Sequence, residues 1–518
     1  MRARHHRLGI LAVLLLAHVA VAQDLAEYNR ALAAYNAGDH VGAAQRFFAL
    51  AEGSTDQATR QRSEYYLGQS FLKAGLPFAA ASYYAAIVDA GAGHPFYLKA
   101  VEGLVEVQAK VNDQNLIPSK IDRSYDPEAW ATLPAPVQAR INLMIASIAR
   151  RKGRLEEARL FLDAIDPKSR VYGQALYLTG VLLSDPRFPG RTDEASARAH
   201  DEEALKAFRK VLALDDPEQV GLDNLKALAR LGVGRVTYGL GRFQEATEAY
   251  DSVERFSRYW DVALFENGFA RFQNDDYGGA LGSLQALYAP QFQNAFQPES
   301  RVLTATVYYF ACLYDESKRA LEDQERIYGP MRKAILPLLD GPEGERPPVF
   351  YYKLIADRDP RLPQPVWLWV RGNERLSDAF DNLEQIEREK AQLSSTQGWA
   401  QGGLVPTVRG YLEQNRDVLV QVAGTLARDR LTEAERNIKA FVDQANIIRF
   451  EISNAEKELA ELGLDQQAML ASKRIYRPAL PAPNWNYWRF QGEFWRDEIG
   501  YYQYTLKNGC PAETAGIE

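Results

Sequence analysis

Few side chains in this sequence have the types and spacing that catalysis or metal binding requires. Beyond residue 22 the only histidines are His40, His94 and His200, which are far apart in the chain. The sequence contains no HExxH motif, no paired CxxC motif and no EF-hand loop, the common local patterns for zinc and calcium sites. We therefore expect no catalytic residue, no cofactor and no metal site.

Two short patterns resemble a phosphate-binding loop and a pair of catalytic acids, but the sequence around them supports neither function. Gly232-Val233-Gly234 resembles part of a phosphate-binding loop, yet it lies in a segment with helical periodicity and no strand precedes it. Glu493 and Asp497 are four residues apart and could share a helix face, as the paired acids of some glycosidases do. Because nothing in the sequence indicates a cleft around them, we interpret them as solvated or capping carboxylates.

Cys312 and Cys510 are the only cysteines. Two such thiols often pair in an oxidising compartment, and this bond would tie the C-terminal segment to the middle of the chain. The sequence does not give the distance between them, so two buried free thiols are an equal alternative.

The C-terminal segment is dense in aromatic residues, and three of the chain's eight tryptophans lie within it: Trp485, Trp488 and Trp495. These rings could dock a partner or stack against cell-wall sugars. Alternatively, the segment folds back and covers an exposed apolar surface. We favour this cap because aromatic side chains bury large areas and the end of a repeat array needs covering.

Residues 65–88 indicate the helices that must position these groups. Small residues at Gly68 and Ala80 let two helices approach closely, Tyr84 fills the space beside them, and Gly75 separates the helices. A lone helix pair cannot bury its apolar face, so neighbouring pairs should carry the same residue types.

Six further segments carry this pattern, five of them at nearly the same offsets and one, at Gly180, with a longer polar insert between its two helices. They are Ala31, Gly38, Ala43 and Phe47; Ala146, Gly153, Ala158 and Leu162; Gly180, Ala204 and Phe208; Gly234, Gly241, Ala246 and Tyr250; Gly268, Tyr277, Ala280 and Leu284; and Ala305, Tyr314, Ser317 and Leu321. About seven copies in register resemble the tetratricopeptide repeat (TPR) family over residues 25–330. The resemblance implies an all-α solenoid whose concave face binds peptides or partner proteins.

A narrower resemblance covers two later stretches. The runs FENGFARFQNDDYGGALGSL and FQPESRVLTATVYYFACLYDESKRAL, and the final WRFQGEFWRDEIGYYQYTLKNGC, are similar to exported TPR proteins of myxobacteria and their relatives. Some members of that group belong to the periplasmic gliding-motility machinery. The resemblance implies a part in a motility or envelope assembly.

The N-terminus predicts export. Three arginines precede an apolar run from Leu8 to Leu16, and Ala20-Val21-Ala22 forms a small-x-small cleavage site. Removal of residues 1–22 leaves 58 Lys+Arg against 68 Asp+Glu, a net charge of −10. This mildly acidic balance argues against nucleic acid as a partner. No later apolar run is long enough to span a membrane, and the periplasm is the expected location.

A different period follows the repeats. From Leu431 to Leu462, apolar residues alternate steps of three and four over about 48 Å of helix. Residues 376–393 supply a second, shorter stripe, and the GWAQGG turn could reverse the chain between the two. We expect an antiparallel hairpin, with pairing between two copies of the chain as the less favoured alternative.

The expected organisation is a signal peptide (1–22), a repeat solenoid (23–335) with loop inserts at 110–136 and 184–202, a proline-rich connector (336–370), a coiled-coil hairpin (371–465) and an aromatic cap (466–518). The expected function is a non-enzymatic envelope scaffold that binds proteins on its concave repeat face. The alternative is a cell-wall (glycan) binding protein or enzyme that uses the aromatic segment.

Overall fold

The computed structural model describes residues 22–339, 346–399, 403–461, 463, 470, 483–507 and 509–510. All regular elements in these ranges are helical, so the all-α prediction is confirmed. The predicted signal peptide lies outside these ranges except for residue 22, and residues 400–402 of the GWAQGG turn also lie outside them.

The helices follow one another with short connections. The first nine are α1 (22–36), α2 (His40–Gly53), α3 (Gln57–Lys73), α4 (Pro77–Ala90), α5 (Tyr97–Val111), α6 (Leu116–Ser124), α7 (Pro127–Trp130), α8 (Ala135–Arg151) and α9 (Leu155–Asp163). The next are α10 (Tyr172–Leu183), α11 (Glu194–Ala213), α12 (Leu222–Gly239), α13 (Phe243–Asp251), α14 (Trp260–Gln273), α15 (Tyr277–Ala286), α16 (Ser300–Phe310), α17 (Tyr314–Leu339), α18 (Pro348–Ala356) and α19 (Gln364–Arg371). The last are α20 (Glu374–Ser395) and α21 (Leu404–Glu461), and a 3₁₀ turn occupies Pro290–Phe292.

The chain divides into two compact units. Unit 1 comprises residues 1–171 and 373–426, and unit 2 comprises residues 172–372 and 427–518. This division does not follow the predicted domains, because residues 23–335 contribute to both units. Within each unit consecutive helices pack against each other, as α3 does with α4 and α12 with α13.

In several helix pairs, the turn between the two helices contains a residue with a positive φ at the same position. Seven residues after the small residue of the first helix, the chain adopts a positive φ, between +74° and +87° at Gly38, Gly75, Gly153 and Gly241. Glycine adopts this conformation without steric cost. In the last two pairs the position is taken by Asp275 at +56° and Cys312 at +52°.

Both predicted loop inserts are partly helical, which corrects the sequence interpretation. The 110–136 segment contains α6 and α7, and α6 buries Ile117 and Ile121. Its first turn is capped by the buried carboxylate of Asp113, which accepts hydrogen bonds from the backbone N–H groups of residues 115–117. In the 184–202 segment, α11 begins at Glu194 behind a capping box formed by Asp193 and Ser196.

The predicted connector at 336–370 is also largely helical. Helix α17 runs to Leu339 with Pro330 and Pro337 inside it. Helix α18 begins at Pro348, and α19 carries Pro365 in its first turn. Proline in a first turn removes an N–H that would have no intrahelical partner, so Pro348 and Pro365 are compatible with the starts of α18 and α19.

The expected partner of the long apolar stripe is corrected. Helix α21 is 58 residues long, and its stripe residues Ala445, Ile452 and Leu459 are buried in one cluster with Val302 and Leu321 of α16 and α17. The predicted partner, α20, lies in unit 1, where it packs against α4 and contacts the first part of α21 in antiparallel orientation, through Ser394 with Arg409 and Glu387 with Arg416. A three-four pattern specifies that a stripe is buried, but it does not specify the covering helix.

Candidate interaction surfaces

The predicted repeat-packing residues form an interlock in which one ring fills the space left by small residues. A Cβ built on Gly68 or on Gly103 would lie 2.7 Å from the Tyr84 ring. In unit 2, a Cβ on Gly180 would lie 2.6 Å and one on Gly232 2.8 Å from the Phe208 ring. Since real Cβ atoms essentially never approach this closely, only glycine fits these positions.

The other predicted packing residues have the same character. A Cβ on Gly234 would lie 2.5 Å from the Tyr250 ring, and one on Gly268 would lie 3.2 Å from Leu284. Four predicted packing alanines are fully buried: Ala80, Ala158, Ala246 and Ala280. Gly153 occupies a turn. The glycines inside helices and the alanines are therefore core residues that cannot touch a partner, whereas Gly153 is exposed at its turn.

The sequence pattern predicted only one of the two glycines that contact each of the rings of Tyr84 and Phe208. Gly103 and Gly232 each come from the first helix of the following pair, so each ring is held by small residues from two successive pairs. Gly103 lies in α5, within the predicted solenoid but in none of the seven predicted helix pairs, although the small residue in that helix was a usable signal. The interlock at Tyr84 therefore includes α5, the helix that precedes the predicted insert at 110–136.

Side chains that a partner could reach lie elsewhere on the first helices. Arg235 of α12 forms a two-pronged ion pair with Glu266 of α14, with N–O distances of 2.6 to 3.0 Å. The Arg235 side chain is 54% exposed and that of Glu266 20% exposed. Because the Arg235 side chain is more than half exposed, a partner can reach the charge of this pair.

The C-terminal segment is anchored to the rest of unit 2 through residues between 499 and 510. Cys312 and Cys510 form a disulfide, one of the two alternatives that the sequence left open. Tyr504 donates its backbone N–H to the carbonyl of Gly278 at 3.0 Å, and the Gly509 N–H reaches the Ala311 carbonyl at 2.8 Å. Ile499 is fully buried in the cluster that includes Trp260.

The glycine-rich face of α15 makes room for this anchored part. A Cβ on Gly282 would lie 1.7 Å from the Tyr502 carbonyl oxygen, and one on Gly278 would lie 2.5 Å from that of Tyr504. Arg255 donates to three backbone carbonyls of residues 496, 497 and 499, and its guanidinium lies 4.6 Å from the centre of the Tyr501 ring. This part of the segment therefore behaves as the predicted cap.

The preceding part is an exposed aromatic surface, which the cap interpretation did not anticipate. Trp488 is 77% and Trp495 58% exposed, whereas Trp485 is half-buried and packs against Tyr501. Trp488 and Trp495 line an open cavity of about 450 Å³ together with Glu493 and Glu498. Partial burial and the neighbouring carboxylates of Asp497 and Glu493 raise the pKa of Glu498. Flat rings beside carboxylates could stack on a sugar or receive a cation.

Two buried acids in unit 1 serve as helix caps. Glu389 of α20 is fully buried and accepts hydrogen bonds from the backbone N–H groups of Phe78 and Ala79, both at 2.9 Å. Burial raises the pKa of Glu389 to about 7 despite these bonds. Asp113 is likewise buried, its pKa is raised by burial, and it accepts a hydrogen bond from Asn382 at 3.1 Å. Because both carboxylates are enclosed and fully engaged, they stabilise helix ends.

In the part of the chain that the structure describes, no group of three or more His, Cys, Asp or Glu side chains could hold a metal ion. None of the helices in the same residues is long and apolar enough to cross a membrane. No protein-family model matches the sequence, and a search of curated proteins finds no match.

Proposed function

We propose that this protein is a non-enzymatic scaffold of TPR type that binds other proteins through the first helices of its repeats. The observation that carries the proposal is the interlock of small residues and rings, which recurs in both units at Tyr84, Phe208 and Tyr250. Repeats built in this way leave the outer side chains of each first helix free to vary and to bind. The proposed binding surface is the concave repeat face.

We further propose that the scaffold is exported, with the periplasm as its location. The signal-peptide pattern of residues 1–22 supports this proposal, as does the disulfide between Cys312 and Cys510, because disulfides persist in oxidising compartments. The resemblance of residues 265–284, 296–321 and 488–510 to exported myxobacterial proteins supports a place in a motility or envelope assembly. The partners would then be envelope proteins.

The test is cross-linking of the tagged, full-length protein in cells of its own source, followed by mass spectrometry. The informative variant exchanges Arg235 and Glu266, as Arg235→Glu with Glu266→Arg, because it keeps the ion pair and reverses the surface charge. The matched control exchanges Arg159 and Asp163, an exposed pair on the second helix α9. We expect wild type and control to capture the same few envelope proteins and the first variant to lose them.

Two results would contradict the scaffold proposal. One is capture of no protein above background by wild type. The other is capture of cell-wall fragments in place of proteins. Equal capture by all three chains would move the binding surface away from α12 and α14 and leave the scaffold itself in place.

A second candidate function is glycan binding at the C-terminal aromatic surface. The exposure of Trp488 and Trp495 beside Glu493 and Glu498 specifically favours it. Sedimentation with purified cell wall tests it, with Trp488→Ala and Trp495→Ala as variants and Phe450→Ala as control, since Phe450 is 63% exposed on α21. Loss of sedimentation in both tryptophan variants alone would establish glycan binding, whereas equal behaviour of all chains would exclude it.

A further inference from the structure

A cavity of about 280 Å³ lies within unit 2, between α17 and the last third of α21. The sequence of α17 explains why it is open. Gly329 carries no side chain, and a Cβ built there would meet only the Glu325 side chain, at 3.9 Å. The next residue is Pro330, which has no N–H to donate to the preceding turn. The Gly-Pro step therefore leaves side-chain space in this helix and removes one backbone hydrogen-bond donor.

One wall of the cavity contains a polar group that the protein leaves unsatisfied. The Gln324 side chain is 1% exposed, and neither its amide nitrogen nor its amide oxygen has a hydrogen-bond partner. Burial of an amide without partners is costly, and native proteins rarely tolerate it. A ligand with a polar group in the cavity would remove this cost after a small side-chain movement.

The charges around the cavity favour an anion. Arg332 is paired with Glu435 at 2.8 Å, and Arg449 is paired with Glu325 at 3.0 Å. Lys333 also lines the cavity, and no carboxylate among the described residues pairs with it. Two paired guanidinium groups and one unpaired ammonium therefore give the rim a surplus of positive charge, which attracts one carboxylate-sized anion.

The remaining wall is apolar, with Leu321, Val442 and Ala445 forming its surface. A cavity with an apolar wall, a few polar groups and a charged rim is the common form of a small-molecule site. We propose that this cavity binds a small amphipathic carboxylate. The carboxylate lies at Lys333 between Arg332 and Arg449, and a short alkyl chain lies over Leu321 and Val442. This site is independent of the repeat surface of α12 and α14.

The test is isothermal titration of the full-length mature protein with octanoate. Acetate carries the same head group without the chain, and octylammonium carries the same chain with the opposite charge. We expect octanoate to bind more tightly than acetate and octylammonium not to bind. Loss of one charge-assisted contact in Lys333→Gln should weaken octanoate about tenfold. The control, Lys439→Gln, removes an exposed lysine from α21, the other helix that lines the cavity, and should leave binding unchanged.

Two further variants separate binding from damage to the fold. Gly329→Leu should fill the cavity and abolish octanoate binding. Gln324→Leu should raise the thermal midpoint of the free protein, because it removes the unsatisfied amide, and should weaken octanoate binding at the same time. A structural defect would lower both quantities together. Octanoate binding that equals acetate binding, or that survives both Lys333→Gln and Gly329→Leu, would overturn the proposal.

Discussion

At the scale of single residues, the interlocking ring of Tyr84 fills space and makes no use of its polar atom. Tyr84 is fully buried between Gly68 and Gly103, and its hydroxyl has no hydrogen-bond partner. Tyr97 is also buried, but its hydroxyl oxygen accepts a hydrogen bond from the Trp130 indole N–H at 2.9 Å. Two tyrosines in the same unit therefore have hydroxyl groups with opposite effects on stability.

We predict that Tyr84→Phe leaves the free energy of unfolding unchanged or raises it slightly, because the removed hydroxyl is unsatisfied. Tyr84→Ala should lower it by about 3–5 kcal/mol through the cavity it creates. Tyr97→Phe should lower it by about 1–3 kcal/mol, because the buried indole N–H of Trp130 loses its acceptor. Urea unfolding followed by circular dichroism measures all three. A loss for Tyr84→Phe as large as that for Tyr97→Phe would contradict the prediction.

Glu389 gives unit 1 a pH dependence whose sign follows from its raised pKa. The folded-state pKa is about 7, against an ordinary value of 4.5, so the folded protein holds one more proton between these values. Below pH 4.5 the residue is protonated in both states and its stabilising effect is fully present. That effect is lost as the pH rises through 7, where a charged carboxylate must stay buried.

We therefore predict that the stability of unit 1 falls between pH 5 and pH 8, and that Glu389→Gln reduces this slope. The amide cannot ionise, and its oxygen still accepts one of the two N–H groups of Phe78 and Ala79. Urea midpoints of both chains at several pH values measure the difference, and the subtraction cancels all other titrating groups. Parallel curves for wild type and variant would show that Glu389 does not titrate in this range.

At the scale of elements, α15 shows how a helix can be shaped to receive another segment. Its glycines allow the backbone of residues 502–504 to approach the helix surface, and the disulfide fixes the segment again at Cys510. The attachments of the C-terminal segment thus include one close approach to α15 and one covalent bond. Each can be removed without the other.

We predict that Gly282→Ala detaches residues 483–507 and leaves the rest of unit 2 folded. The new Cβ would lie 1.7 Å from the Tyr502 carbonyl oxygen, so the segment must move. Limited proteolysis should then cleave this segment about tenfold faster. On a non-reducing gel the fragments should stay joined through Cys312 and Cys510. The control is Gly239→Ala, where a Cβ meets no atom within 4 Å. Equal cleavage of both variants would refute the steric role of Gly282.

The same elements show which parts of the fold the sequence could predict. Small residues and rings at fixed offsets predicted the paired helices, because this packing is local and repeats within about 35 residues. The buried stripe of α21 was also predictable, but its partner was not. Periodicity reports only that one face is apolar, and the choice between α17 and α20 depends on contacts more than 100 residues apart.

The candidate surfaces were less predictable. The sequence indicated that Trp488 and Trp495 belong to an aromatic segment, but whether a ring is buried depends on the surface beneath it. The glycines of α15 were a usable signal, because glycine inside a helix costs stability unless something approaches closely. Nothing in the sequence indicated that Glu389 would be buried, because an acidic residue in a highly charged helix is ordinarily solvated.

At the scale of the whole molecule, unit 1 is built from two stretches that are distant in the chain. Residues 373–426 supply Glu389, which caps α4, and Trp399, whose indole N–H donates to the Val41 carbonyl at 3.0 Å. Gln392 donates to the Ala74 carbonyl at 2.9 Å. The first repeats therefore depend on side chains that arrive about 300 residues later.

We accordingly predict that residues 23–171 do not fold stably alone and that residues 373–426 restore folding when supplied as a separate chain. Without the second stretch, the first turn of α4 loses its buried cap, and the site of Trp399 against Phe71 is left open to water. Circular dichroism and size-exclusion chromatography of the co-expressed fragments measure the rescue. Glu389→Ala with Trp399→Ala in the short fragment should weaken it, while residues 427–461, which belong to unit 2, should give none. If residues 23–171 alone melted at the same temperature as the complex, unit 1 would be complete without α20, and its later residues would serve a different purpose.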